Sequence, residues 1–127
     1  MKLRPIGRVV NGLNENPGDW TKVKSKIIFD RRYIAGLYKL DHFKRVWVVF
    51  GFHKQSQTIL RVHPMHDPEK PLVGVFASRS PTRPNKIGIT LVDLLSVKGN
   101  VLTVRGLDAF NGSPVYDIKP NEEEIDY

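Results

Sequence analysis

Gly, Pro and Asn interrupt this chain at short intervals, and that punctuation limits what it can fold into. Short runs between such breakers suit strands joined by turns better than long helices. In TKVKSKIIF (21–29), Lys22, Lys24 and Lys26 alternate with Val23, Ser25 and Ile27, the period of a half-buried strand with one basic face. RVWVVFGFH (45–53) is apolar on both faces and rich in β-branched and aromatic residues, which predicts a central strand. LVGVFA (72–77) reads the same way. IGITLVDLLSV and VLTVRGL flank Lys98-Gly99-Asn100, a turn signal that predicts a hairpin. Only RRYIAGLYKLDHF (31–43) has helical spacing, through Ile34, Leu37, Tyr38 and Asp41, and Gly36 limits it to one short helix. The expected architecture is mainly β: a small single-domain β-barrel of short antiparallel strands with one short helix, spanning residues 1–127 and ending in an acidic tail, 121–127.

At 127 residues the chain can bury one core. It has no cysteine, which excludes disulfides, thiolate nucleophiles and cysteine-based zinc sites and makes a reducing cytoplasm the expected location. No apolar run reaches the roughly 18 residues of a membrane span, and MKLRPIGRVV lacks the apolar core of a secretory leader. The net charge of +7 is uneven. NEEEIDY (121–127) carries four acids and no base, so residues 1–120 hold a charge of +11. A body that basic suits a polyanion such as nucleic acid.

The motifs for several chemistries are missing. His63-Pro64-Met65-His66 places two histidines three apart, but Pro64 and Pro68 make this a loop, and no third ligand stands at a recognised spacing, so no metal is expected. No glycine-rich phosphate cradle opens a helix, and no G-x-S-x-G elbow exists. Three polar constellations remain. Arg79-Ser80-Pro81-Thr82-Arg83-Pro84-Asn85 lies between GVFAS and IGITL. Its prolines stiffen the loop, and its arginines offer forked donors for phosphates, carboxylates or base edges; the same residues also suit a rigid structural turn. In GLDAFNGSPVYDIKP (106–120), Asp108 precedes the turn signal Asn111-Gly112, and Asp117 with Lys119 reads as an ion pair on one strand face. FGFHK (50–54) ends an apolar strand in His53-Lys54, either lining a site or marking where the strand meets water.

GVFASRSPTRPNKIGIT, GLDAFNGSPVYDIKP and FKRVWVVFGFHK resemble the signature segments of the TsaA-like family, the TrmO-type tRNA methyltransferases, and the likeness continues through RVHPMHDPEKPLVGVF and GNVLTVRGLD, over roughly residues 34–120. The lack of a further C-terminal domain resembles the family's short, archaeal-type branch. The resemblance implies a small barrel that binds S-adenosyl-L-methionine without a Rossmann fold, acts as a homodimer, and methylates N6 of threonylcarbamoyl-adenosine beside the tRNA anticodon. By position in the matching motifs, it implies a cofactor pocket lined by His53, Lys54, Arg79, Leu91, Leu107, Asp108, Ala109 and Phe110, with Arg83 and Asn85 nearer the RNA. His53 and Asp108 both qualify as the general base, and Phe110 or Tyr116 as a stacking platform for a splayed base. The chain departs from the family pattern twice. IGRVVNGLNENPGDW lacks the Ser-Pro that usually follows Ile-Gly, leaving Asn16-Pro17-Gly18 as its stand-in, and Asn121 replaces the aromatic that usually follows DIKP. The alternative from another class is a non-catalytic β-barrel that binds RNA or an adenine ligand.

Overall fold

The computed structural model describes residues 1–122, so most of the acidic tail 121–127 lies outside the described residues. Among the described residues there are eight strands: β1 (Gly7–Val10), β2 (Lys24–Phe29), β3 (Arg45–Gly51), β4 (Arg61–Val62), β5 (Val73–Gly74), β6 (Ile87–Lys98), β7 (Val101–Arg105) and β8 (Pro114–Pro120). Six of them close into an antiparallel barrel in the order β1-β2-β7-β6-β3-β8, with β8 returning to β1. The mainly β barrel expected from the sequence is therefore the fold.

Side-chain alternation supplies the core. Val9, Ile27, Val46, Val48, Leu102 and Val104 are fully buried inside the barrel, each worth about 1.5–3 kcal/mol relative to exposure. On β2 the intervening Lys24 and Lys26 face outward, as the alternation predicts. The β6–β7 hairpin turns through Gly99 and Asn100, with Gly99 at φ +59° in the first turn position. Asn100 also ties this turn to β2, exchanging backbone and side-chain hydrogen bonds with Phe29 at 2.8 and 2.9 Å.

One local expectation is corrected. LVGVFA (72–77) is not a central strand: Val73–Gly74 pairs only with β4, and Val75–Ala77 forms a 3₁₀ turn. Six strands already close the barrel, so no free edge remains to receive this segment, and only Val75 of it is buried. A short apolar run cannot announce which partner it will find. The helical stretch at 31–43 forms as two 3₁₀ runs, Arg31–Leu37 and Leu40–His42, broken at Lys39, which sits at φ +65°. Its only buried residue is Leu37, too little apolar face to hold an α-helix on the barrel. Asp30 starts the first run by accepting the Arg32 backbone N–H at 3.1 Å, a bond that keeps its carboxyl below the usual range. The Asp117–Lys119 pair forms as expected at 2.8 Å, and the hydrogen bond raises the pKa of Lys119.

The strand directions place the same ends together. β3 ends at Gly51, β7 at Arg105 and β1 at Val10, while β2, β6 and β8 begin, all around one mouth of the barrel. Near this mouth the β3–β8 register shifts between Val49 and Phe50, a bulge that re-aims β3 just before His53-Lys54.

Gly7 marks how tightly β1 is seated. A Cβ there would lie 2.7 Å from the Ile28 carbonyl oxygen, whereas one at Gly36 meets nothing within 4 Å. Gly7→Ala is expected to cost about 1–3 kcal/mol. Gly36→Ala should leave stability unchanged or raise it by about 0.4–1 kcal/mol. Urea unfolding of both variants checks the contrast.

Candidate functional site

A cleft of about 340 Å³ opens at this mouth, with Phe50 and Phe52 at its floor and side chains from three separate segments around it. After β3 come His53 and Lys54, after β7 come Asp108, Ala109 and Phe110, and Arg79 arrives from the proline-stiffened loop before β6. Six of the residues singled out in the sequence thus meet in one place. The lining is mixed, with aromatic rings, two cations and one carboxylate.

Each polar group is held. The Lys54 ammonium donates to the Asn14 side-chain oxygen at 2.9 Å and lies 5.2 Å above the Phe110 ring. Trp20 meets that ring edge-on, centroids 5.6 Å apart. His53 Nδ1 lies 3.3 Å from the Ser113 hydroxyl. Asp108 accepts a hydrogen bond from the Thr90 hydroxyl of β6, and Arg79 donates through Nη2 to the Ile89 carbonyl of the same strand. Arg79 and Lys54 both keep further N–H donors, because a guanidinium has five and an ammonium three.

The remaining named residues stand elsewhere. Leu107 is fully buried in the core, so only its backbone can face a ligand. Leu91 pairs with Trp47 on β3 and alternates with the buried Val92, on the outer wall of the barrel and away from the cleft. Arg83 braces its own loop. Its Nη1 donates to the carbonyls of Ser78 at 2.7 Å and Val75 at 3.0 Å, and its guanidinium lies 5.7 Å from the Phe76 ring centroid. Asn85 is exposed on the same loop, its carbonyl accepting from Ile87 at 2.8 Å. Asn121 is buried, its N–H donating to the Arg45 carbonyl at 3.3 Å.

Sequence reasoning missed the amino-terminal wall of the cleft. Asn16 and Trp20 line it, within the segment whose family pattern is broken. The turn signal Asn16-Pro17-Gly18 was visible, and Gly18 at φ +89° donates to the Asn16 side chain at 2.9 Å. Asn11 was not legible at all. Its side-chain N–H groups donate to Ser25 Oγ at 3.0 Å and the Ala109 carbonyl at 2.9 Å. The Asn111 side-chain oxygen in turn accepts from the backbone of Asn11 and Gly12 at 3.0 and 3.1 Å. The two asparagines bind the end of β1 to the Asp108–Phe110 wall, partners about a hundred residues apart in sequence.

A larger groove of about 710 Å³ adjoins the cleft and shares His66, Arg79 and Pro81 with it. Its lining is mostly apolar, and Arg79 is the one cofactor-pocket residue expected from the sequence that reaches it. His63 Nδ1 lies 2.7 Å from the Lys70 carbonyl. Among the described residues no group of three or more His, Asp or Glu side chains is placed to hold a metal ion, and no helix is long and apolar enough to cross a membrane.

Fold and cleft together define a class: a small closed β-barrel with a compact, mixed polar and aromatic ligand cleft at one mouth. Residues 9–127 match the tRNA-methyltransferase O N-terminal domain. The chain is 41% identical, over 99% of its own length and 93% of the relative's, to a protein of Archaeoglobus fulgidus named S-adenosyl-L-methionine-binding protein. It is also 41% identical, over 71% of its length, to the human tRNA (adenine(37)-N6)-methyltransferase, of which it spans 21%. The structure of TrmO from Pseudomonas aeruginosa superposes with a TM-score of 0.77 at 26% identity, and the present chain spans 58% of it. The chain belongs to the TrmO family.

Asn11→Ala removes two donors from a half-buried network. It should destabilise the fold by about 1–3 kcal/mol. It should also raise amide exchange at Ala109–Gly112 more than in β3 or β6, measured by hydrogen–deuterium exchange.

Proposed function

We propose that this chain is an S-adenosyl-L-methionine-dependent methyltransferase that modifies N6 of threonylcarbamoyl-adenosine next to the tRNA anticodon. The observation that carries the reading is the meeting of His53, Lys54, Arg79, Asp108 and Phe110 in one cleft from three separated segments. The names of the archaeal and mammalian relatives support it.

The residues present fit the cofactor. A cleft of about 340 Å³ is within the range of small-molecule sites. Trp20 and Phe110 offer an apolar surface for adenine, the spare donors of Arg79 and Lys54 suit the methionine carboxylate, and Asp108 suits a ribose hydroxyl or a positive sulfur. When bound, S-adenosyl-L-methionine supplies a methyl carbon already activated by a sulfonium.

Two requirements fall to the chain itself. The first is alignment of acceptor nitrogen with methyl carbon, a positioning problem that a pre-held cleft serves. The second is removal of a proton. N6 of threonylcarbamoyl-adenosine is acylated, so its lone pair is delocalised and its hydrogen must leave as the new N–C bond forms. His53, beside the Ser113 hydroxyl, and Asp108, beside Thr90, are the titratable groups able to accept it. His53→Gln and Asp108→Asn separate them: the base variant loses turnover by far more than it loses cofactor affinity.

The homodimer implied by the family likeness belongs to the same proposal. The outer wall of β3 and β6 is apolar, with Trp47, Val49 and Leu91 half-buried and Ile89 and Leu95 exposed. A role for Leu91 at the cofactor requires that this wall bring it to the cleft of a second copy.

Calorimetric titration with S-adenosyl-L-methionine should show binding, and Arg79→Ala should weaken it about tenfold to hundredfold, as expected for loss of a charged hydrogen bond. No binding at about 1 mM would overturn the cofactor assignment. Nucleoside mass spectrometry of tRNA incubated with protein and labelled cofactor should show a methyl group on threonylcarbamoyl-adenosine. Binding without transfer to any tRNA would leave the non-catalytic reading.

A further inference from the structure

The basic face of β2 has no part in the cleft, yet it begins beside it. Lys24 and Lys26 point outward from β2, Lys24 stands opposite Arg105 on β7, and Arg8 follows on the outer face of β1, whose Val10 pairs with Lys26. Lys22 precedes them, two residues after Trp20 of the cleft wall. Lys22, Lys24, Lys26 and Arg8 are exposed and Arg105 is half-exposed. No hydrogen bond or ion pair to any of these side chains is present among the described residues. The acid nearest in register is Asp93, opposite Arg105 on β6, at the edge of the group.

The position of this strip is fixed relative to the cleft. The Gly106 N–H donates to the Val23 carbonyl at 3.0 Å, joining the start of β2 to the segment that continues into Asp108–Phe110. From Lys24 to Lys26 the strip runs down the barrel wall for roughly 7 Å, at about 3.3 Å per residue, with Lys22 in the 3₁₀ turn just before it. The wall of β3 and β6, by contrast, is mostly apolar, with Arg45 and Asp93 opposite one another at its far end. A row of bases on one wall thus starts at the cleft mouth, where a regularly charged polymer whose reacting unit enters the cleft would lie.

We propose that the outer face of β1, β2 and β7 is an RNA-backbone surface, on which Lys24, Lys26 and Arg105 hold phosphates of the helical stem flanking the target adenosine. The proposal rests on the tRNA reading above and names the surface that the RNA occupies. The outward side chains of these strands include cations and no aromatic platform, so they suit phosphates, and the contact positions the substrate without selecting its sequence. Lysines two apart on a strand face the same way, which lets neighbouring phosphates be neutralised together.

The test compares two double variants with equal loss of charge. Lys24→Gln/Lys26→Gln removes the strip, while Lys39→Gln/Lys98→Gln removes two exposed lysines outside it, Lys98 at the opposite end of the barrel. Binding of a synthetic tRNA anticodon stem-loop is followed by fluorescence anisotropy across a salt series, with circular dichroism to check folding and calorimetry to check cofactor affinity. The strip variant should bind the stem-loop about tenfold more weakly at low salt and lose roughly two units of log–log salt slope, with cofactor affinity unchanged. The control should stay near the parent protein. Equal losses in both variants would reduce the effect to net charge and overturn the surface. An unchanged strip variant would overturn it too, while leaving the tRNA reading intact. If the parent protein binds the cofactor but no stem-loop, or binds anionic vesicles in its place, the tRNA reading fails and the surface with it.

Discussion

Closure of the barrel between β1 and β8 is the constraint from which the rest follows. Gly7 and Arg8 pair with Val115 and Pro114, and flanking backbone bonds from Ile6 to Val115 and from Val9 to Ser113 extend the seam at 2.8 and 2.9 Å. An open six-stranded sheet would leave two edges and a half-exposed apolar face; closure satisfies both edges and seals Val9, Val48 and Leu102 inside. The seam is narrow, and Gly7 within it is held just as closely on its other side, where the Ile28 carbonyl of β2 occupies the space a side chain would take.

Closure also concentrates function. Antiparallel strands alternate direction, so three chain exits and three entries crowd around one mouth, and the loops there are fastened to one another. The Asn11–Ser25–Ala109 and Asn11–Asn111 bonds lock the amino-terminal turn to the 107–112 loop. The Arg83 guanidinium fastens the loop carrying Arg79 by bonding to its own carbonyls. A cleft assembled from locked loops loses little ordering entropy when a ligand enters, and it holds donor and acceptor atoms in fixed relation.

Much of this was legible residue by residue. The alternation in Lys24–Phe29 and the Gly99-Asn100 turn report local geometry, and local geometry is what sequence periods encode. The cleft residues His53, Lys54, Arg79 and Asp108–Phe110 were legible because unusual polar groups followed strongly apolar strands. The position of Arg83 was not legible, for an equally physical reason. Two arginines in a stiff loop look alike in sequence, but only the fold reveals that Arg83 bonds to carbonyls of its own loop while Arg79 reaches the Ile89 carbonyl of β6 beside the cleft. LVGVFA failed where a partner surface decides the outcome, because it found no edge to join, and the short helix expected at 31–43 took 3₁₀ form with Leu37 as its buried residue.

From sequence alone one can conclude a mainly β chain, a basic body, a proline-stiffened arginine loop and a family likeness, because composition, period and motif are properties of neighbouring residues. Tertiary structure decided which strands close the ring, which arginine faces the cleft, and that Asn11 reaches Ala109. It also decided that the lysines of β2 descend from the cleft along one wall. Those outcomes depend on contacts between residues far apart in the chain, whose energies exist only once the barrel has closed.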